Sequence, residues 1–200
     1  MTNSFLESIA TRRSIYHIGK QVSLSQQEIT ALIQTAVEQS PSSFNSQSSR
    51  AVILFDQASA DFWEIVRDTL RKIVPETAFE ATNNKISSFA AGFGTVLFYE
   101  DEDIIKNLQE QFDLYADNFP VWSEHSTGIA QFAVWTTLAA ENIGASLQHY
   151  NPIIDDAVKA RFGIPDSWKL RAQMPFGSIE SPAGDKNYMQ REDRFKVFAD

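Results

Sequence analysis

Helices that alternate with short, continuously apolar strands predict an α/β or α+β protein in which helices are the majority. Residues 50–55 (Arg-Ala-Val-Ile-Leu-Phe) and 95–99 are β-rich and lack polar alternation, the pattern of strands buried on both faces. Residues 123–143 form a long helical pattern that is apolar over much of its circumference, with Ile129, Phe132, Trp135 and Leu138. Such a helix lies centrally or is buried between subunits. A length of 200 residues, 43% of them hydrophobic, fits one domain, 1–200, whose core needs no staples.

The elements follow in order. Phe5, Leu6 and Ile9 give residues 3–11 the spacing of a short amphipathic helix, with an arginine pair at its C-terminal end where the dipole favours cations. Ser25-Gln26-Gln27-Glu28 reads as a capping box that opens a helix through about Gln39, with Ile29, Ile33 and Ala36 on its buried face. Pro41-Ser42-Ser43-Phe44-Asn45 breaks it. A second long helix covers residues 58–74, with Phe62, Val66 and Leu70 on one face. After the strand at 95–99, the acidic residues 100–103 read as a turn, solvated at Asp101-Glu102-Asp103, and 104–120 is aromatic and polar. The long helix at 123–143 takes Ser123 as its cap and Gly144 as its stop. Residues 153–162 form a shorter helix ended by Gly163, residues 170–176 a strand, and residues 188–198 an extended amphipathic tail.

Composition excludes several classes. The chain has no cysteine, so disulfides, thiolate catalysis and cysteine-held metal or iron–sulfur centres are out. No HExxH, EF-hand or His/Asp cluster appears among its 3 histidines, so no metal is expected. A formal net charge of -9 argues against general affinity for nucleic acid or anionic membranes. The N-terminus lacks the order of a signal peptide and no apolar run is long enough to span a bilayer, so a soluble cytoplasmic protein is expected.

Against that acidic background, both ends of the chain are locally basic. Thr11-Arg12-Arg13-Ser14-Ile15-Tyr16 places two planar guanidinium forks beside a hydroxyl, a donor set that matches phosphate oxygens. Arg191, Arg194 and Lys196 form a second basic group. Alone, an Arg-Arg pair is more often a solvated helix end, Ser42, Ser43 and Asn45 are ordinary turn formers, and a histidine placed like His149 is most often a packed structural residue.

Four separated segments change those readings. Arg-Arg-Ser-Ile-Tyr near the start, Pro41-Ser42-Ser43-Phe44-Asn45-Ser46-Gln47, Gly144-Ala145-Ser146-Leu147-Gln148-His149-Tyr150-Asn151 and Arg194-Phe195-Lys196-Val197-Phe198 occur in an order and spacing that resembles the nitroreductase family of FMN-dependent homodimers. The Gln-His-Tyr-Asn-Pro loop and the Gly-Thr-Val-Leu-Phe-Tyr-Glu-Asp strand are similar to a compact bacterial and fungal branch. The resemblance implies an α+β fold with a central, mostly antiparallel sheet flanked by helices and a long helix at a dimer interface. It implies that Arg12, Ser14 and Arg194 bind the FMN phosphate and ribityl chain, with Arg13, Tyr16 and Lys196 nearby. Lys85 would lie by the pyrimidine. Pro41, Ser42, Ser43, Asn45 and Gln47 would reach the flavin held mainly by the other subunit, and Gln148, His149 and Tyr150 would pack on the ring or donate to it. Residues 104–122, with Trp122, fall where the family has a mobile cap. The implied reaction passes hydride from NAD(P)H through flavin N5 to a small-molecule acceptor, nitroaromatic or quinone, by ping-pong kinetics. Two alternatives are an FMN-binding redox sensor with little turnover and a flavin-free α/β domain with accidental matches.

Overall fold

β5 (Trp168–Ile179) is the spine of the fold. The structure, a computed structural model, describes residues 4–199; Asn3, where the sequence reading began the first helix, lies outside them. β5 pairs antiparallel with β3 (Gly94–Asp101), which pairs antiparallel with β2 (Ser49–Phe55). Two short strands complete the sheet against the end of β5: β1 (Ile18–Gly19) and β4 (Gly144–Ala145), both antiparallel to it. The antiparallel pairing resolves the class to α+β, in the form the family resemblance implies.

Both faces of the sheet are covered. On one face, Val96, Phe98, Ala172, Met174 and Phe176 pack with Ile29 and Ile33 of α2 (Gln26–Glu38) and with Val134 and Leu138 of α6 (Phe119–Ala140). On the other, Leu97, Tyr99 and Leu170 meet Phe62, Trp63 and Val66 of α3 (Asp56–Arg71) and Ile86 and Phe89 of α4 (Glu76–Ala90). Ile154 and Val158, at the start and within α7 (Asp155–Phe162), close this second core. Alternate β3 residues thus serve opposite cores, as strand geometry requires. On β5, both Leu170 and Ala172 are even-numbered yet face opposite cores. The register explains it: Tyr99 pairs with Leu170 and Phe98 with Ala172, so Arg171 is an extra residue in a bulge. The Trp63 indole N–H and the Ser59 hydroxyl meet the Thr95 hydroxyl, each at 2.9 Å, and tie α3 to β3 inside the second core.

The local signals read from sequence recur in the structure. Ser25 and Glu28 form the reciprocal capping box of α2, and Gly163 ends α7 at φ 64°, a left-handed position suited to glycine. The helix at the N-terminus is α1 (Ser4–Thr11). Other features differ. The long helix starts at Phe119, with proline in its first turn, where a fixed φ is favourable. Ser123 is therefore internal: its hydroxyl donates to the Pro120 carbonyl at 2.9 Å and caps nothing. Residues 102–118 form α5 (Glu102–Gln111) and a 3-10 segment (Asp113–Asn118). The tail contains one short turn of helix, α8 (Arg191–Arg194). Glu100 is no part of a turn. It is a fully buried strand residue that accepts the Ser48 hydroxyl at 2.6 Å and the Ser49 hydroxyl beside it. Asp101 instead supplies the cap of α5, its side chain accepting from the Asp103 N–H.

Burial holds the Glu100 carboxyl above the usual carboxylate range, against the lowering effect of its two serine donors. Because the folded pKa exceeds the unfolded one, the folded state keeps the proton longer, and the stability this confers in acid is lost as pH rises through the folded pKa. Glu100→Gln cannot ionise. The Tm difference between Glu100→Gln and wild type is therefore expected to grow in the variant's favour as pH rises from the ordinary carboxylate range, about pH 4 to 5. A thermal-melt series in buffers of increasing pH checks this, and a difference that stays flat refutes it.

Candidate functional site

The basic run near the N-terminus is strung along the end of the sheet. α1 stops at Thr11, and the chain then extends, with Ser14 in a parallel bridge to Ala145 and Ile15 and Ile18 buried as anchors. The Ala145 carbonyl accepts two hydrogen bonds, from the Ile15 N–H at 2.9 Å and from the Trp135 indole N–H at 3.1 Å. Trp135, on α6, also lies beneath the Arg12 guanidinium, 4.4 Å from its ring centroid. A cation over an indole face gains from the ring quadrupole. α6 thus fixes both the backbone of this segment and its first charged side chain.

Arg12, Arg13, Ser14, Tyr16 and His17 line one side of a cleft of about 460 Å³, and residues 181–186 line the other. Arg13 donates to the Gly184 carbonyl at 2.7 Å, which ties the C-terminal segment to the N-terminal one. Lys186 adds a second cation to that wall, and Asp185 the one carboxylate lining the cleft. Among the described residues, neither Arg12 nor Arg13 forms an ion pair. Arg12 Nε is buried with no hydrogen-bond partner. Burial, and then repulsion from Arg13, pull the Arg12 pKa below the ordinary guanidinium value. An anion in the cleft would relieve both penalties, and phosphate oxygens match the donor geometry.

Lys85, on α4, and Tyr16, on the cleft wall, share Phe89 of α4 as a neighbour. The Lys85 ammonium is 5.9 Å from the Phe89 ring centroid, and the Tyr16 ring is 6.3 Å from the same ring. The 146–151 loop enters from β4 and is held against β5: Gln148 and Gln173 exchange backbone hydrogen bonds of 2.7 and 2.9 Å. The Gln148 side chain is buried and donates to the Ser146 hydroxyl at 3.0 Å. The Tyr150 ring turns into the second core, edge-on to Trp63 at 6.0 Å, and burial raises its phenol pKa. Of these three residues, His149 alone is exposed.

Pro41, Ser42, Ser43, Asn45 and Gln47 lie elsewhere. Phe44, Asn45 and Gln47 adopt left-handed backbone conformations at φ 56°, 50° and 48°. Such conformations are disfavoured for L residues and cluster at binding loops. The turn is over-determined by local bonds: the Gln47 N–H donates to the Ser42 hydroxyl at 2.9 Å, and Arg50 donates to the Gln47 carbonyl while pairing with Asp101 at 3.2 Å. Phe44 seats in an aromatic cluster with Phe112, Tyr115, Phe119 and Trp122. Pro41, Ser42 and Gln47 line a hollow of about 160 Å³ distinct from the Arg12 cleft. Between α2 and α6, with Pro41 at its edge, runs a larger, mostly apolar trough of about 980 Å³, lined by Leu32, Ile129, Phe132 and Ala133.

Arg194 and Lys196 sit in the exposed tail, and among the described residues no contact joins them to Arg12. The cation that the C-terminal segment brings to the cleft is Lys186. Trp135, Gln173 and Lys186 were not singled out as site residues. Only Gln173 carried a signal, as an amide inside an apolar strand.

Comparison with known proteins bears on the whole chain. Residues 9–178 match the model of the Nitroreductase family. HBN1 of Saccharomyces cerevisiae is 32% identical over 191 residues, covering 94% of this chain and 95% of its own length. Nitroreductase CinD from Lactococcus lactis, solved in complex with nicotinic acid, is 50% identical, with a TM-score of 0.91 over 98% of this chain and 100% of its own. The same protein has been solved with chloramphenicol and with 4-nitrophenol. A nitroreductase with bound FMN from Desulfitobacterium hafniense shares the fold at 14% identity, with a TM-score of 0.72 over 100% of both chains.

Replacing Trp135 with Phe keeps a ring under Arg12 but removes the donor to the Ala145 carbonyl. Trp135→Phe is expected to lower unfolding stability by about 1 kcal/mol, the net worth of one hydrogen bond. Urea denaturation measures this directly.

Proposed function

The chain belongs to the nitroreductase family, and on that premise we propose that it is an FMN-dependent oxidoreductase that passes hydride from NAD(P)H to a nitroaromatic or quinone acceptor. The observation that carries the cofactor assignment is the unpaired Arg12–Arg13 cleft, with its buried, partnerless Arg12 Nε. A phosphate there supplies the missing acceptor, and FMN is held in the Desulfitobacterium relative of the same fold. When bound, the flavin supplies hydride exchange at N5, taking hydride from a nicotinamide and yielding it to an acceptor that follows in its place.

The chain's own residues position and tune. Arg12 and Ser14 hold the phosphate and ribityl chain, and Arg13 braces the cleft through Gly184. Lys85 places a positive charge by the pyrimidine side, where it favours added electron density. The 148–150 loop would lie over the ring, with His149 as its exposed side chain. Nicotinic acid and 4-nitrophenol, each bound by CinD, are small aromatic molecules of the donor and acceptor classes assigned here. A reducing, cytoplasmic setting suits a chain without cysteine.

Homodimerisation belongs to the same reading. The apolar trough along α2 and α6, where Ile129 and Phe132 are exposed, is the surface a second copy would cover. The strained 41–47 loop lies apart from its own chain's Arg12 cleft, so a second copy brings it to the flavin. Residues from the Arg194 tail would reach the phosphate in that assembly.

Purified protein is expected to show flavin absorption that bleaches anaerobically with NADH or NADPH and returns on adding a nitroaromatic or quinone. Arg12→Ala is expected to weaken FMN binding about 10- to 100-fold, the worth of charge-assisted hydrogen bonds to phosphate. Full flavin content at wild-type affinity in that variant refutes the phosphate assignment. Phe132→Glu is expected to run as a monomer on size exclusion and to lose flavin. A monomer that binds FMN tightly refutes the shared site.

A further inference from the structure

We propose that Gln173 is the positioning residue that presents His149 to the flavin, an inference that rests on the flavin reading above. β5 pairs with Gly144 and Ala145 through Gly177 and Phe176, and the chain rejoins it at Gln148 opposite Gln173. Beyond that point the backbone ladder ends, and the Gln173 side chain continues it. Its carbonyl oxygen accepts the Tyr150 N–H at 2.7 Å, and its amide nitrogen donates to Asn151 Oδ1 at 3.1 Å. One residue therefore grips Gln148 by backbone and Tyr150 and Asn151 by side chain.

The placement is costly unless it is used. Gln173 is fully buried, on the face of β5 opposite Ala172 and Met174 and paired with Leu97 of the second core. An amide there is tolerated because both its ends are bonded. An apolar residue would pack the strand equally well, so what Gln173 adds is the hold on the loop.

The consequence falls on His149. Gln148 is fixed by Gln173 and Ser146, and Tyr150 by Gln173 and Trp63, so both flanks are immobilised. In an antiparallel pair the residue after a bonded pair turns its N–H away from the partner strand. Among the described residues, the His149 N–H has no protein acceptor, and the residue is exposed. A donor held this way is oriented before the ligand arrives, so little ordering opposes its use.

Gln173→Leu keeps the volume and removes both side-chain bonds. FMN is expected to bind it with near wild-type affinity, because the phosphate cleft is untouched. Three readouts change: the flavin absorption maximum shifts, the FMN-induced shift of the His149 amide resonance in NMR is lost, and kcat with NADH falls about tenfold or more, as misplacement near reacting atoms does. A purely structural role lowers Tm and leaves all three as in wild type, which overturns the proposal. Asn151→Ala, at the loop itself, removes only the partner of the amide nitrogen and is expected to move the same readouts less far; unchanged readouts there together with an unchanged Gln173→Leu holoenzyme overturn it as well. A wild-type protein that stays colourless with added FMN overturns the flavin reading, an outcome distinct from a flavin-bound wild type that Gln173→Leu matches.

Discussion

The fold and the site both depend on the hydrogen-bonding capacity of one strand. A buried strand must satisfy its backbone along its whole length, because each orphaned N–H or C=O in the interior carries a heavy penalty. β5 meets that demand with β3 along one edge, with Gly144, Ala145 and Gln148 along the other, and with β1 beyond its last β3 pair. Those last pairings bring three distant parts of the chain together. They dock residues 144–151, they draw residues 18–19 across Gly177, and they place the Arg12 segment beside Ala145. Gly177 is where this is tightest: a Cβ there would stand 2.1 Å from the Gly19 carbonyl oxygen. The cationic cleft is thus a by-product of closing the end of a sheet.

Much of the fold was legible because its signals are local. The α2 capping box, the Gly163 stop and the continuous apolar runs of β2 and β3 each act within a few residues. α4 was missed because it is held by few anchors: Ile86 and Phe89 are its buried residues, and Asn83, Asn84, Ser87 and Ser88 dilute its helical preference. β1 and β4 are two residues each, too short for any period to show. Glu100 misled because it begins an acidic run, and charge is normally at the surface. Only the serines fifty residues earlier make its burial tolerable.

The site divides the same way. Arg12, Arg13, Ser14 and Tyr16 were readable as one cluster because they are contiguous, and the structure keeps them on one cleft. The partners of that cluster are remote in sequence: Gly184 and Lys186 line the cleft from the C-terminal segment, and Trp135 of α6 lies beneath Arg12. The net charge of -9 sharpens the contrast. The overall field repels anions, and the Arg12 and Arg13 guanidiniums set a local positive potential against it.

The bulge at Arg171 has a consequence for how this sequence can change. On either side of it the strand's inward and outward faces exchange parity, so Leu170 and Ala172 serve different cores. A substitution along residues 172–177 alters one side chain. An insertion or deletion of a single residue there reverses every later face and also slides Gly177 away from Gly19 and Gln173 away from the 148–151 loop. In this stretch a change of length disturbs more than a substitution at Ala172 or Met174, whose side chains serve one core.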